Sequence, residues 1–384
     1  MKDQADASPI SDAHMQAFRL AQEALIVDGH IDVPYRLHTF WEDVTRPTVC
    51  GDFDLPRARL GGLSAAFWAI YLPASLQSDP GASKALADTQ LDLIDDLLER
   101  ARAQLMLATT PRQIREAANN DTFALCLGIE NGSALEGTPR NVYYYFNRGV
   151  RYITLTHSRD NALCDSSYDD TKTHGGLSAL GREVVAEMNR LGMMVDISHA
   201  SDAAALDVLD MTDVPVVATH SSARHFTPGW KRNLHDELLQ GVAETGGIVM
   251  VCFGSPFLND RARNAQRATK QQIKNEIRAL GLSEESATAR CYTERARKER
   301  PTGSVADVAD HIDYIAELIG VEHVGWGSDF DGIFGLPAGL QDVSMYPNLI
   351  RELLNRGYSR ADIKKIAGEN VLRVWQMILA EASN

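Results

Sequence analysis

His30 and Asp32 close a short apolar run, and an imidazole beside a carboxylate is half of a site for a borderline cation such as zinc. In extended chain, residues i and i+2 share a face, so the pair would point the same way. Taken alone, His-x-Asp also fits a strand that ends in a polar turn. Other apolar runs end in the same fashion. Glu130 follows 123–129, His157 follows 152–156, His199 follows 193–198, His220 follows 214–219, and Asp329 stands just past 323–327. Any one of these has an ordinary reading as a capping or hydrogen-bonded residue. Together, several imidazoles and carboxylates at equivalent positions suit two neighbouring zinc ions bridged by one carboxylate and a hydroxide.

The elements that would position them alternate. Apolar runs at 25–27, at the head of the stretch 25–34, and at 64–72, 123–129, 152–156, 193–198, 214–219, 247–253 and 323–327 read as eight strands. Helical periodicity occupies 85–107, 139–149, 179–191, 201–210, 234–245 and 305–319. Repeated strand–helix units of this number point to a (β/α)8 barrel, whose chemistry sits at the carboxyl ends of its strands. No Gly-x-Gly-x-x-Gly or Walker sequence follows any run, which removes the usual reason for an open doubly wound sheet. The stretch 34–62 reads as a long loop, 255–303 as a charged helical insertion after the seventh strand, and 344–381 as extra C-terminal helices. The insertion suits either a lid or a subunit contact. Residues 1–24 are expected to form an N-terminal arm, and 25–384 a single metal-dependent barrel.

Bulk properties narrow the function. Of 384 residues, 44% are hydrophobic and 23% charged, as in ordinary globular proteins. A net charge of −14 argues against nucleic acid or an anionic membrane as partner. The five cysteines are scattered without a Cys-x-x-Cys, so no zinc ribbon or redox motif is indicated, and Cys126 and Cys252 read as core. The polar residues 1–20 lack an apolar signal segment, and the expectation is a cytoplasmic protein. The remaining histidines, His14, His38, His174, His225, His235, His311 and His323, lack strand-end placement and read as surface or loop residues.

Longer motifs carry a resemblance. Asp28-Gly-His-Ile-Asp-Val-Pro, Ile129-Glu-Asn-Gly, 151–157, Val195-Asp-Ile-Ser-His, Thr219-His-Ser, Arg232-Asn-Leu and Gly327-Ser-Asp-Phe-Asp-Gly resemble the membrane (renal) dipeptidase family of the amidohydrolase superfamily. The C-terminal run 355–374 also matches. The resemblance implies two zinc ions per chain: His30 and Asp32 on one, His199 and His220 on the other, with Glu130 bridging. It implies that His157 contacts the scissile carbonyl, Arg232 binds the substrate carboxylate or the oxyanion, and Asp329 shuttles the proton. The implied reaction is hydrolysis of a free dipeptide, tolerant of a D-residue at its C-terminal end, by a metal-bridging hydroxide in a homodimer. Hydrolysis of another small amide, such as an N-acyl amino acid, would use the same chemistry. A catalytically silent barrel would be expected to lack a ligand or the shuttle, and all are present. Two departures bear on substrate choice. Asn131 stands where the family has Gly, and Cys252-Phe-Gly replaces the Asn-Phe-Tyr of mammalian members.

Overall fold

The computed structural model describes residues 12–382, so half of the polar N-terminal stretch lies outside the described residues. Nine parallel strands follow the chain: β1 Ile26–Ile31, β2 Leu63–Tyr71, β3 Leu105–Leu107, β4 Phe123–Glu130, β5 Val150–Thr154, β6 Met194–Asp196, β7 Val217–Ser221, β8 Ile248–Val251 and β9 Val324–Trp326. Eight of them close a barrel, because β2 pairs with β1 on one side and β4 on the other, and β9 returns to β1. Helices surround this barrel, which is the (β/α)8 architecture expected from the alternating runs. The short β3 lies outside the ring and pairs with the first half of β4, while β5 takes the second half.

Register carries the functional positions to one rim. Tyr71 pairs with Glu130, Glu130 with Thr154, and Thr154 with Asp196, so the strand ends stay level around the barrel. The lumen below them is filled. Val27, Phe67, Cys126, Tyr152 and Met250 form one apolar cluster with Val371, Trp375 and Ile378 of the final helix Asn370–Glu381, which seals the end opposite the rim. Gly128 is required here: a Cβ at this position would lie 2.0 Å from Tyr152 Cζ, so only glycine lets the tyrosine ring cross the lumen.

Three expectations are corrected. The helix expected over 85–107 ends at Arg100, and its last residues form β3; leucine periodicity runs on into a short strand that it cannot tell from helix. The expected loop 34–62 contains helices Val33–Thr39 and Leu55–Gly61, each opened by a proline in its first turn. The extra helices expected over 344–381 are present as Tyr346–Asn355, Arg360–Lys364 and Asn370–Glu381, with a π turn at Lys365–Glu369 between the last two. His311, by contrast, is no surface residue. It is fully buried on helix Val305–Ile319, where Nδ1 accepts from the Ala223 amide and Nε2 lies 2.9 Å from the Leu258 carbonyl.

Segment 255–303 folds as helices Ser255–Leu258, Asp260–Ala279 and Ala287–Glu299. An ionic network fastens it to the barrel. Arg297 donates to Asp52 Oδ1 at 2.7 Å and to Glu294 at 2.7 Å, and Asp52 Oδ2 accepts from the Asp331 amide at 3.1 Å. Arg36 pairs with Asp331 at 3.1 Å. Burial pushes the Asp52 carboxyl up, but Arg297 and Lys298 outweigh it and hold the group below its usual range. Removing one partner of a buried pair strands the other, at a cost of about 3 kcal/mol. Arg297→Ala is therefore expected to lower the urea midpoint and to expose the 280–286 turn to protease. Because a depressed aspartate stabilises only while ionised, the parent's advantage should be full above pH 3.8 and fade as pH falls below it. Equal urea and protease resistance in parent and variant would show the pair to be immaterial.

Candidate metal centre

The residues expected at strand ends converge, though not all by the expected route. Glu130 is the last residue of β4 and His220 lies within β7, as the pattern suggests. Asp32 is different: β1 stops at Ile31, and Asp32 caps the following helix with φ −91° and ψ 32°. Its nearness to His30 comes from that turn and not from alternation along a strand. His157 lies three residues past β5, and His199 and Asp329 lie in the turns after β6 and β9 with φ of 68° and 62°. Asn131 (φ 92°) and Asp331 (φ 67°) are likewise left-handed. Non-glycine residues rarely hold this conformation unless their surroundings over-determine it, and such strain gathers at functional sites.

Glu130 is the centre. Its Oε2 lies 3.6 Å from His30 Nε2, which is itself 3.4 Å from Asp32 Oδ2. Its Oε1 faces three other imidazoles: His199 Nε2 at 2.9 Å, His220 Nε2 at 3.3 Å and His157 Nε2 at 3.6 Å. His30, Asp32 and Asp329 form a further close group of ligand-type atoms. All of the expected ligands are buried, as is Asp329.

Two buried acids hold these groups in place. Asp196 accepts from the Thr154 and Thr219 hydroxyls at 2.5 and 2.7 Å and from the Ser198 and Thr219 amides, tying β5, β6 and β7 together beneath His199 and His220. Asp28 accepts from the His30 and Ser328 amides and the Tyr346 hydroxyl, tying β1 to β9 beneath His30 and Asp329. Neither acid was singled out from the sequence, although both stand inside motifs that were quoted. Tautomers follow from the same bonds. The single Thr219 hydroxyl proton goes to Asp196, so at 2.9 Å the threonine oxygen must accept from His220 Nδ1, leaving a bare lone pair on Nε2. Tyr152 lies 2.8 Å from His30 Nδ1 and can do the same for that ring.

The donor set fits cations. His30 Nε2 and Asp32 Oδ1 are buried with no hydrogen-bond partner, an expensive arrangement unless something positive lies between them. His199 Nε2 and His220 Nε2 stand 2.9 Å apart and aim at the same carboxylate oxygen. Burial pushes His220 down to about 3 and His199 well below its usual range, keeping both neutral as ligation requires. Burial acts the same way on His30, but Glu130 and Asp32 overcome it and raise that group well above its usual value. Carboxylates that hold a proton so firmly mark a point of strong negative potential, which a divalent cation would satisfy in the proton's place. Asp329 is raised well above its usual range by burial and then by Asp32.

Arg232 is 1% exposed and has no carboxylate partner. Its terminal nitrogens donate to Ser221 Oγ at 2.7 Å and the His220 carbonyl at 2.8 Å, its Nε is unpaired, and its guanidinium lies 4.9 Å over Phe257. It stands behind the ligands rather than on the wall of the cleft above them. That cleft, of about 400 Å³, is bounded by Asp32, Glu130, His157, His199 and Asp329 and by a set of aromatic side chains that sequence patterns did not mark. Cys252 is buried as expected, but its thiol also lies 3.7 Å from Asp329 Oδ2. His14, His38, His174, His225, His235, His311 and His323 are not among the groups of ligand-type atoms brought together here.

Known proteins resemble this chain in sequence and fold. The family model described as membrane dipeptidase, peptidase family M19, matches residues 14–384. The dipeptidase aclJ of Aspergillus oryzae is 36% identical over 362 residues, covering 91% of this chain and 77% of that protein. The crystal structure of the probable dipeptidase PvdM from Pseudomonas aeruginosa superposes with a TM-score of 0.83 at 26% identity, covering 96% of this chain and 99% of the other. A metallo peptidase from Rhodobacter sphaeroides, liganded with a phosphinate mimic of the dipeptide L-Ala-D-Ala, gives a TM-score of 0.76 at 25% identity and covers 92% of this chain and 99% of its own. With nearly the whole chain matched and the barrel shared, this protein belongs to the membrane dipeptidase family, peptidase family M19.

Proposed function

We propose that this chain is a binuclear zinc dipeptidase that hydrolyses the amide bond of free dipeptides. The observation that carries this reading is Glu130, whose two oxygens face two different ligand groups. His30 and Asp32 would hold one ion, His199 and His220 the other, and Glu130 would join them. Cations held there would lower the pKa of a bound water toward neutrality and would polarise a substrate carbonyl. The phosphinate-bound relative supports a dipeptide as substrate, since a tetrahedral phosphinate imitates a carbonyl under attack.

The chain's own residues do the rest. Asp329 takes the proton from the attacking water at its carboxylate and returns it to the leaving amine, which its place beside Asp32 and its high proton affinity suit. His157, partly exposed on the cleft wall, donates from Nε2 to the carbonyl oxygen as negative charge grows there. Arg232 would contribute its fixed positive charge from behind the ligands, favouring an anionic substrate end without lining the cleft itself. Tyr152 and Thr219 fix the rings of His30 and His220 with their ligating nitrogens forward.

Three outcomes are expected. Purified protein should hydrolyse L,L and L,D dipeptides and lose that activity to a chelator, with zinc restoring it; cleavage of N-acyl amino acids alone would replace the dipeptidase reading with the acylase one. Asp329→Asn should reduce kcat by a factor of roughly 10² to 10⁴ while zinc content is unchanged. Tyr152→Phe should weaken zinc affinity by about tenfold or more in a competition with a chromogenic chelator. Unchanged kcat in the first variant or unchanged affinity in the second removes the role given to that residue.

A further inference from the structure

The cleft has two unlike sides. Ligand carboxylates and imidazoles crowd one, and Tyr168, Trp230, Pro256, Phe257 and Ile333 make the other. Trp230 meets Phe257 edge-on at 5.1 Å, and Tyr168 meets Trp230 at 6.4 Å, so the rings form a connected wall. Much of this wall belongs to the charged insertion. Pro256 and Phe257 sit in its first helix, and Arg263 from its second lays a guanidinium 4.9 Å over the Trp230 ring. Gly254 allows the packing: a Cβ there would lie 2.8 Å from Ile333 Cγ1 and 3.1 Å from Phe257 Cδ2. The chain therefore lacks a side chain at 254 and fills that space with isoleucine and phenylalanine.

Charge is missing from this side. Among the described residues no lysine or arginine lines the cleft, and Asp331, the acid there besides the expected ligands and Asp329, is already paired with Arg36 at 3.1 Å. A charged substrate side chain seated here would lose its water and find no partner. An apolar one would bury its surface against rings that are each held by a guanidinium, Arg232 on Phe257 and Arg263 on Trp230.

We infer that the wall of Trp230, Phe257 and Ile333, to which the insertion contributes Phe257, selects dipeptides carrying one bulky apolar or aromatic side chain and rejects those carrying a charged one. The inference rests on the dipeptidase reading and assigns the insertion a part in substrate choice. The test is kcat/KM of the zinc-loaded protein for Ala-X and X-Ala, where X is Ala, Leu, Phe, Lys or Glu, with both configurations of the C-terminal residue. At one of the two positions, Leu and Phe are expected to exceed Ala by about tenfold or more, mainly through KM, with Lys and Glu below Ala. Trp230→Ala and Ile333→Ala should each shrink the Phe-to-Ala ratio by about threefold or more, a ratio that lost folded protein alone would not change. A flat panel, a preference for Lys or Glu, or an unchanged ratio in both variants overturns the inference while leaving the dipeptidase reading intact. Failure to cleave any member of the panel removes both.

Discussion

One buried carboxylate sets the terms for the rest of the molecule. Glu130 has four imidazole nitrogens within 3.6 Å of its oxygens, at the buried floor of the cleft. Burial alone would neutralise it. The surrounding histidines reverse that and hold it well below the ordinary glutamate range. The price is a concentration of polar groups that no apolar core would tolerate, and the barrel accommodates it through its closed, level rim. Because β4 pairs along its whole upper half with β2 and β5, Glu130 cannot shift without breaking the ladder on both sides.

Support radiates from that point in layers. Asp196 and Asp28 act as struts between adjacent strands, each with hydrogen bonds from backbone amides as well as hydroxyls. Above them, His199, Asp329, Asp331 and Asn131 are held in left-handed backbone that each would avoid in isolation. Asn131 shows how this is enforced. Its side chain donates to the Leu72 carbonyl and to Gln77 and accepts from the Ser133 amide and Asn161, joining the loops after β2 and β5 beside Glu130. A glycine would reach the same backbone angle without strain but would make none of these bonds.

Much of the site was legible because barrel chemistry sits at strand ends, and a polar residue that interrupts an apolar run is visible in a single sequence. His220 and Glu130 obey that rule literally. Asp32, His157, His199 and Asp329 reach the same place from turns, so the pattern located them while misdescribing how they arrive. The second layer was not legible, since Asp28, Asp196 and Tyr152 act in part through partners as far as 318, 42 and 122 positions away. The same holds for the aromatic wall and for Arg297, whose burial against Asp52 depends on how the insertion folds back. Local periodicity also failed at β3, where three apolar residues after a helix carry no signal for either state.

Among the described residues no helix is long and apolar enough to cross a membrane. Three residues stand close behind the cleft: Asn131 next to Glu130, Cys252 against Asp329, and Gly254 leaving room for Ile333 and Phe257. The central claim is narrower than any of these and concerns Glu130 alone. It is tested most directly by anomalous difference maps from crystals of the purified protein, collected on both sides of the zinc absorption edge. The expected result is two zinc peaks per chain, each within coordination distance of a different Glu130 oxygen, with His30 and Asp32 at one and His199 and His220 at the other. A single peak, or two peaks with Glu130 bound to neither or to only one, would contradict it.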